Sequence, residues 1–388
     1  MRKLRLLYSF PHRIGAGRIC DTAYEQVKAL TKKNIDVTLF TASVAREVPA
    51  KAKTVKTLSI GKFRLPVRLL GRNKTCALHD YIVSKWIEKH HDEIDVIHCW
   101  PLGSIRTIRT ANRFNIPTLM ERPNAHTQFA FQRVEDESKK LGIALPKEHD
   151  HAFNNETLEI ENAEYNEATF LLCPSEFVKK TFLDKNFKES KILRHRYGCD
   201  LDIFSPSKNQ PESRGLKAIY VGACEPRKGL HYALEAWKKS DASRDGELLI
   251  CGKFVPEYEE KVRSLIDQPN VKYLGQRSDI GELMKNSDVF LLPSVEEGSA
   301  LVTYEARASG CVLLVSDSCG AVCEHEHDGI IHDSGESDSI TTYLNLLQND
   351  QALLQKLRHN SLEERHTLSW DYGVDMLFNC YHEACSTK

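Results

Sequence analysis

Two glutamates, Glu297 and Glu305, bracket a run of small residues in the stretch Leu291-Leu292-Pro293-Ser294-Val295-Glu296-Glu297-Gly298-Ser299-Ala300-Leu301-Val302-Thr303-Tyr304-Glu305-Ala306. The apolar start reads as a buried strand that ends at Pro293, and a helix is predicted to begin near Ala300. A turn that opens a helix leaves backbone N–H groups without intrahelical partners, which makes it a ready site for phosphate oxygens. Glu297, ahead of the helix, could reach sugar hydroxyls. Glu305, about a turn into the helix, could accept from ribose hydroxyls. The same spacing also fits an ordinary acidic helix start, with Glu297 as a capping carboxylate and Glu305 as a plain helix residue.

Three other stretches carry candidate chemistry. Val221-Gly222-Ala223-Cys224-Glu225-Pro226-Arg227-Lys228-Gly229-Leu230 follows a predicted strand and opens a helix. Gly222 allows close backbone approach, and Arg227 and Lys228 place two cations at the helix start, which suits a diphosphate or simply a solvated basic turn. Met120-Glu121-Arg122-Pro123-Asn124-Ala125-His126-Thr127 ends another strand, with His126 either pointing into a cleft or filling a core or surface position. Gly15-Ala16-Gly17 lies in the first strand-to-helix turn. It begins like a dinucleotide fingerprint, but Cys20 holds the third glycine position and Asp36 starts the second strand instead of ending it, so a nicotinamide cofactor is not expected. Cys319, Cys323, His325 and His327 form a cysteine–histidine group whose spacing fits no usual structural zinc pattern, and no metal is expected there.

The elements that must position these residues alternate regularly. Leu4–Tyr8, Val37–Thr41, Asp95–Cys99, Thr118–Glu121, Thr169–Cys173 and Lys191–Arg196 read as strands, separated by helical patterns such as Asp21–Lys32 and Ser175–Lys185, the latter with Ser175 as N-cap. Residues 205–213 form a polar, proline-bearing linker. The alternation then restarts with Lys217–Val221, Glu247–Cys251, Val271–Leu274, Val289–Leu292 and Val312–Ser316, followed by a loop and a strand at Gly329–His332. This is the pattern of two α/β, Rossmann-like doubly wound halves, which bind ligands outside the carboxyl ends of their strands. The expected division is 1–204 as an N-terminal acceptor-side domain, 205–213 as linker and 214–365 as a C-terminal donor domain. Residues 366–388 are expected to form a C-terminal helix packing back on the first domain.

Composition excludes other classes. The chain has 388 residues, 41% hydrophobic and 28% charged, enough for real cores. A net charge of -1 does not suggest nucleic-acid binding. Twelve scattered cysteines do not resemble a disulfide framework, and a reducing cytoplasm is the expected setting. The N-terminal apolar run Leu4–Tyr8 is too short for a signal-peptide core, and no stretch approaches the ~20 apolar residues of a spanning helix, so any membrane contact is expected to be peripheral. One local asymmetry bears on that contact. Between Ala45 and Thr75 lie nine basic residues, Arg46, Lys51, Lys53, Lys56, Lys62, Arg64, Arg68, Arg72 and Lys74, opposed by Glu47 alone, a local charge of +8. Phe63, Leu65, Val67, Leu69 and Leu70 interleave with them, a composition suited either to the surface of an anionic membrane or to a solvated basic face.

Taken in order, these motifs resemble the retaining glycosyltransferases of family four, the glycosyltransferase group 1 type. The likeness runs through Glu297-Gly298 to Glu305-Ala306 and Ser309-Gly310, through Val221-Gly222 to Lys228-Gly229, and through Cys173-Pro174-Ser175-Glu176. It continues in Tyr197-Gly198-Cys199-Asp200 and in the Gly15 and Gly17 loop. The resemblance implies a GT-B fold and a UDP- or GDP-linked sugar donor, with no cofactor or metal required. It implies transfer of a hexosyl-type sugar to a hydroxyl acceptor with retained anomeric configuration, in polysaccharide, glycolipid or other glycoconjugate synthesis. It assigns Glu305 to the ribose, Glu297 to the donor sugar, the amides of Ser299, Ala300, Leu301 and Val302 to the diphosphate, Lys228 to its neutralisation and His126 to the neighbourhood of the donor sugar. The family's usual arginine is Ala223 here, with Arg227 as a candidate replacement, and its aromatic–glycine pair is Ser299–Ala300. The competing readings are a GT-B-like nucleotide-sugar epimerase, which needs no acceptor, and a non-catalytic sugar-nucleotide-binding partner subunit, which binds donor without transfer.

Overall fold

The computed structural model describes residues 3–60, 63–64, 71–146, 149–207 and 215–386, with the backbone alone for Ile60, Phe63 and Arg64. Within the basic stretch, Lys62, Leu65, Val67, Arg68, Leu69 and Leu70 therefore lie outside the described residues, as does most of the linker. The chain divides into two compact units: Met1–Thr127 with Asn154–Tyr197 and Trp370–Lys388, and Gln128–Phe153 with Gly198–Ser369. In this division residues 128–153 group with the second unit and the C-terminal segment with the first.

The first unit is built on a seven-stranded parallel sheet. Its strands are β1 (Leu4–Ile14), β2 (Ile35–Val44), β3 (Ala52–Lys56), β4 (Val96–Cys99), β5 (Thr118–Glu121), β6 (Phe170–Cys173) and β7 (Ile192–Arg194), in the order β3-β2-β1-β4-β5-β6-β7. Every residue of β4, β5 and β6 is buried. A parallel sheet covered on both faces has no solvent side, so its strands appear in sequence as continuous apolar runs without alternation. Strand β3 escapes that rule and was not anticipated. It is an edge strand, Ala-Lys-Thr-Val-Lys, whose lysines are exposed, and charged edges of this kind discourage pairing with other chains.

Helices α1 (Ile19–Leu30), α2 (Arg72–His90), α3 (Ile105–Arg113), α5 (Asn155–Glu167) and α6 (Glu176–Leu183) connect these strands, whereas α4 (Thr127–Lys140) groups, apart from Thr127, with the second unit. Ser175 caps α6 by accepting from the Val178 N–H at 3.1 Å, and Asn154 caps α5 through Thr157 N–H at 2.8 Å. Such caps satisfy amides that the helix itself cannot.

The second unit repeats the design with β8 (Lys217–Val221), β9 (Glu247–Cys251), β10 (Val271–Gly275), β11 (Val289–Leu292), β12 (Val312–Ser316) and β13 (Ile330–His332), ordered β10-β9-β8-β11-β12-β13. Helices α7 (Leu230–Lys239), α8 (Pro256–Ile266), α9 (Ile280–Lys285), α10 (Leu301–Ala308), α11 (Asp338–Asn349) and α12 (Gln351–Glu363) cover it. The last helix, α13 (Trp370–Ser386), belongs to the first unit, where Val374, Leu377 and Tyr381 are buried and Asp371 pairs with Lys32 beyond α1 at 2.7 Å. In both sheets the strand order reverses beside the first strand, between β1 and β4 and between β8 and β11. These are the topological switch points at which open α/β sheets bind ligands. Among the described residues, no helix is long and apolar enough to cross a membrane.

Candidate functional site

The switch point of the second sheet is formed by the turn after β8 and the loop after β11, the two stretches richest in candidate chemistry. Their backbones are fastened together. The Val295 N–H donates to the Arg227 carbonyl at 2.9 Å, and Arg227 Nη1 donates to the Glu296 carbonyl at 3.0 Å. Gly229 has φ +65°, and a Cβ there would lie 2.0 Å from the Pro293 carbonyl oxygen. Only glycine permits both the left-handed turn and that approach. At Gly222, in contrast, an added Cβ would make only ordinary contacts, with Tyr220 Oη at 3.7 Å and Lys228 Cδ at 3.9 Å.

The fastening brings charges together. Lys228 Nζ is joined to Glu297 as an ion pair. Arg227 Nη1 lies 3.2 Å from Glu297 Oε2 and 3.3 Å from Glu296 Oε2, while its Nε donates to Glu225 Oε1 at 3.0 Å. Arg227 is only 8% exposed and Glu296 not at all, so these charges have little water to compensate them and depend on one another. Burial, aided by the neighbouring Arg227 guanidinium, pushes Lys228 down to about 7. Burial pushes Glu225 upward, but the hydrogen bond from His149 and the Arg227 charge outweigh it and hold the carboxyl well below its usual range. In this arrangement the Glu297 carboxylate is held by both Lys228 and Arg227.

Helix α10 begins beside this pair. Its N-cap, Ala300, supplies no side-chain cap, and the Ala300 N–H donates to the Cys319 carbonyl at 3.4 Å. The N–H groups of Leu301 and Val302 meet no acceptor among the described residues. Ser299 Oγ and Tyr304 Oη lie 2.8 Å apart, tying the turn to the helix, and Gly298 is buried in the same turn. Glu305 stands one turn on. Its carboxylate has no hydrogen-bond or ion-pair partner among the described residues, and burial pushes it up to about 7. A half-buried carboxylate without a donor is costly unless something else supplies one.

Gly15, Gly17 and His126 belong to the first unit. Gly15 and Gly17 adopt φ +73° and +92° at the end of β1, and the Gly17 N–H donates to Asp21 Oδ1 at 3.2 Å. His126 follows β5, its backbone N–H held by Thr181 Oγ1 at 3.0 Å and its ring against Tyr165 and Phe182, with centroids 5.3 and 5.1 Å away. Burial and the nearby Arg122 charge lower it to about 4, so its imidazole is neutral at ordinary pH.

Sequence reasoning passed over four residues of the site. Glu225 and Glu296 stood inside quoted motifs without a role, and His149 and His151 lie in a segment that was assigned to the other half. His149 Nε2 is 2.9 Å from Glu225 Oε2, and His151 Nδ1 is 3.9 Å from Glu296 Oε2. No local spacing could have flagged these pairs, since 76 positions separate the first. In the cysteine–histidine loop, Cys319 is buried, the His325 Nδ1 accepts from the Ile331 N–H at 3.1 Å, and Asp328 pairs with buried Arg307 at 2.5 Å. Among the described residues no group of three or more His, Cys, Asp or Glu side chains is placed to hold a metal ion.

With this geometry in place, the chain can be compared with known proteins. Residues 203–364 match the family described as glycosyl transferases group 1. It is 36% identical over 106 residues to the N,N'-diacetylbacillosaminyl-diphospho-undecaprenol alpha-1,3-N-acetylgalactosaminyltransferase of Campylobacter jejuni, a match covering 27% of this chain and 28% of that one. It is 32% identical over 174 residues to the UDP-Gal:alpha-D-GlcNAc-diphosphoundecaprenol alpha-1,3-galactosyltransferase of Escherichia coli, covering 40% and 45%. The matches thus span less than half of either relative. The sucrose-phosphate synthase of Thermosynechococcus elongatus has a similar structure, with TM-score 0.73 at 18% identity over the whole of both chains, which places this chain in the GT-B fold class.

Proposed function

We propose that the protein is a retaining glycosyltransferase that moves a hexosyl-type sugar from a UDP- or GDP-linked donor to a hydroxyl of a lipid-linked acceptor. The observation that carries this reading is the meeting at one sheet switch point of Lys228, Glu297, the first amides of α10 and Glu305, the last two without partners among the described residues. The two matched relatives, whose names specify diphospho-undecaprenol acceptors and in one case UDP-Gal, support the choice of donor and acceptor class.

In this reading the ribose hydroxyls donate to Glu305, and the diphosphate displaces Glu297 from Lys228 while also accepting from the Leu301 and Val302 amides. Glu297, released but still braced by Arg227, turns to the sugar hydroxyls. As the bond between the anomeric carbon and the phosphate oxygen breaks, negative charge grows on the departing diphosphate. Donors already aimed at that position stabilise it without reorganisation. The acceptor oxygen bonds to the anomeric carbon from the same face, and its proton passes to the departing phosphate. In the first unit, neutral His126 and the turn at Gly15 and Gly17 are the residues that the family resemblance assigns to substrate.

The test is thermal unfolding against a panel of UDP- and GDP-sugars. A true donor should add ~2.7 kcal/mol of stability at one hundred times its dissociation constant. Donor-dependent transfer to a diphospho-polyprenol sugar should follow with the same donor. Absence of stabilisation by every nucleotide sugar would overturn the reading.

A further inference from the structure

We infer that His149 is a positioning residue for the sugar-binding glutamate, acting on Glu297 through Glu225 and Arg227; this rests on the donor-site reading above. Glu225 is the middle of the chain. One carboxylate oxygen, Oε2, is 2.9 Å from His149 Nε2, and the other, Oε1, accepts from Arg227 Nε at 3.0 Å. A carboxylate with both oxygens engaged is fixed in rotation, and it fixes in turn the plane of the guanidinium it holds. That plane sets where Arg227 Nη1 meets Glu297 Oε2, at 3.2 Å.

The histidine is itself fixed. Its Nδ1 accepts from the His151 backbone N–H at 3.2 Å, so that nitrogen carries no proton. Its Nε2 faces a carboxylate, which can only accept, so that nitrogen carries the hydrogen. The two contacts define one neutral tautomer, and the ring is one-directional: a backbone amide on one side, a donated hydrogen bond on the other. Because Arg227 and Glu225 are 8% and 5% exposed, water is poorly placed to take over if the ring is removed. His149 makes no hydrogen bond or ion pair with Lys228 in the described contacts, and Glu225 meets it through the backbone, its carbonyl accepting from the Lys228 N–H at 3.1 Å, so removal of the His149 ring reaches the diphosphate end of the site only indirectly.

The consequence is a split between two functions of the same site. In His149→Ala, Kd for free UDP or GDP, whichever the wild type binds, should stay within about twofold. The kcat for turnover of the matching nucleotide sugar should fall about ten- to a hundredfold, the size of effect that small misplacements of a reacting group produce. His149→Gln, whose side-chain amide can still donate to Glu225, should recover most of kcat. A ligand-free measurement stands beside these. In NMR spectra of the full-length protein, the Arg227 Nε–H should exchange slowly in the wild type and in His149→Gln, and at least tenfold faster in His149→Ala. If that exchange is unchanged in His149→Ala, the clamp does not exist, whatever the protein binds. Equal kcat in His149→Ala and wild type, with UDP or GDP binding intact, would overturn the positioning role while leaving the donor site standing. A wild type that binds neither nucleotide would overturn the donor site, and the exchange data would then still decide whether His149 holds Arg227.

Discussion

Arg227 and Glu297 meet at 3.2 Å between Nη1 and Oε2, across two loops that sit 70 positions apart and are already joined through their backbones. The same guanidinium holds Glu225 and Glu296. Arg227 is therefore the shared counter-charge for three carboxylates in a place with little water.

Removing that charge should cost stability before it costs chemistry. Arg227→Met is expected to destabilise the protein by ~3–5 kcal/mol, the usual penalty for leaving buried partners uncompensated. Urea unfolding of the ligand-free protein measures it. A loss below about 1 kcal/mol, the scale of an exposed pair, would mean that the network is solvated and weakly coupled.

Lys228→Ala should act on binding instead. Loss of a charge-assisted contact worth ~1.5–3 kcal/mol predicts roughly a ten- to hundredfold weaker Kd for free UDP or GDP. Calorimetric titration reads this directly. An unchanged Kd in a folded variant would remove Lys228 from the diphosphate site.

Glu305 couples nucleotide binding to pH. Burial raises its carboxyl to about 7, against 4.5 for an unhindered glutamate, so the folded ligand-free protein binds the proton more tightly than the unfolded chain. The contribution of this group to stability is greatest below pH 4.5 and declines as pH rises through 7. Ribose hydroxyls need the ionised form as acceptor, so affinity for UDP or GDP should rise with pH across the same upper limit. Glu305→Gln should flatten that pH dependence, weaken nucleotide binding and raise the ligand-free melting temperature at pH 8. Titrations at pH 6 and pH 8 settle it; a Gln variant with wild-type affinity and wild-type pH dependence would assign the ribose elsewhere.

The charge stabilisation is assigned to amides and cations, so chelation should leave initial rates within about twofold. Loss of rate with EDTA, restored by zinc, would bring the loop from Cys319 to His327 back as a metal site.

The basic stretch from Ala45 to Thr75 predicts salt-sensitive binding to anionic vesicles. Each membrane-proximal Lys or Arg contributes ~1 kcal/mol, and the Debye length shrinks from ~10 Å at 0.1 M salt to ~3 Å at 1 M. Lys51, Lys53, Lys56, Arg72 and Lys74 are exposed, whereas Arg46 is occupied by Asp21 and Glu25 and stacks on Tyr24 at 4.1 Å. Vesicle sedimentation should show the wild type bound at low salt and a variant with Lys62, Arg64, Arg68 and Arg72 changed to Gln released. Equal or salt-insensitive binding of the two proteins would leave the stretch as a solvated face.

Much of this molecule was legible in one dimension because its determinants are local. Parallel strands buried on both faces, such as Val289–Leu292, must be continuous apolar runs, and the turns after them must carry glycine and helix-start residues, so the α/β class and the motifs at Lys228 and Glu297 could be read directly. The edge strand Ala52–Lys56 could not, because an exposed edge selects for charge and looks like a loop. Nor could the grouping of residues 128–153 with the second unit, which places His149 against Glu225. Spacing along the chain specifies which residues can share a turn or a helix face. Which buried charges compensate each other is decided only when the sheets are assembled, since the low-dielectric interior selects partners by distance in space, and Arg227 finds its carboxylates on loops that no sequence period connects.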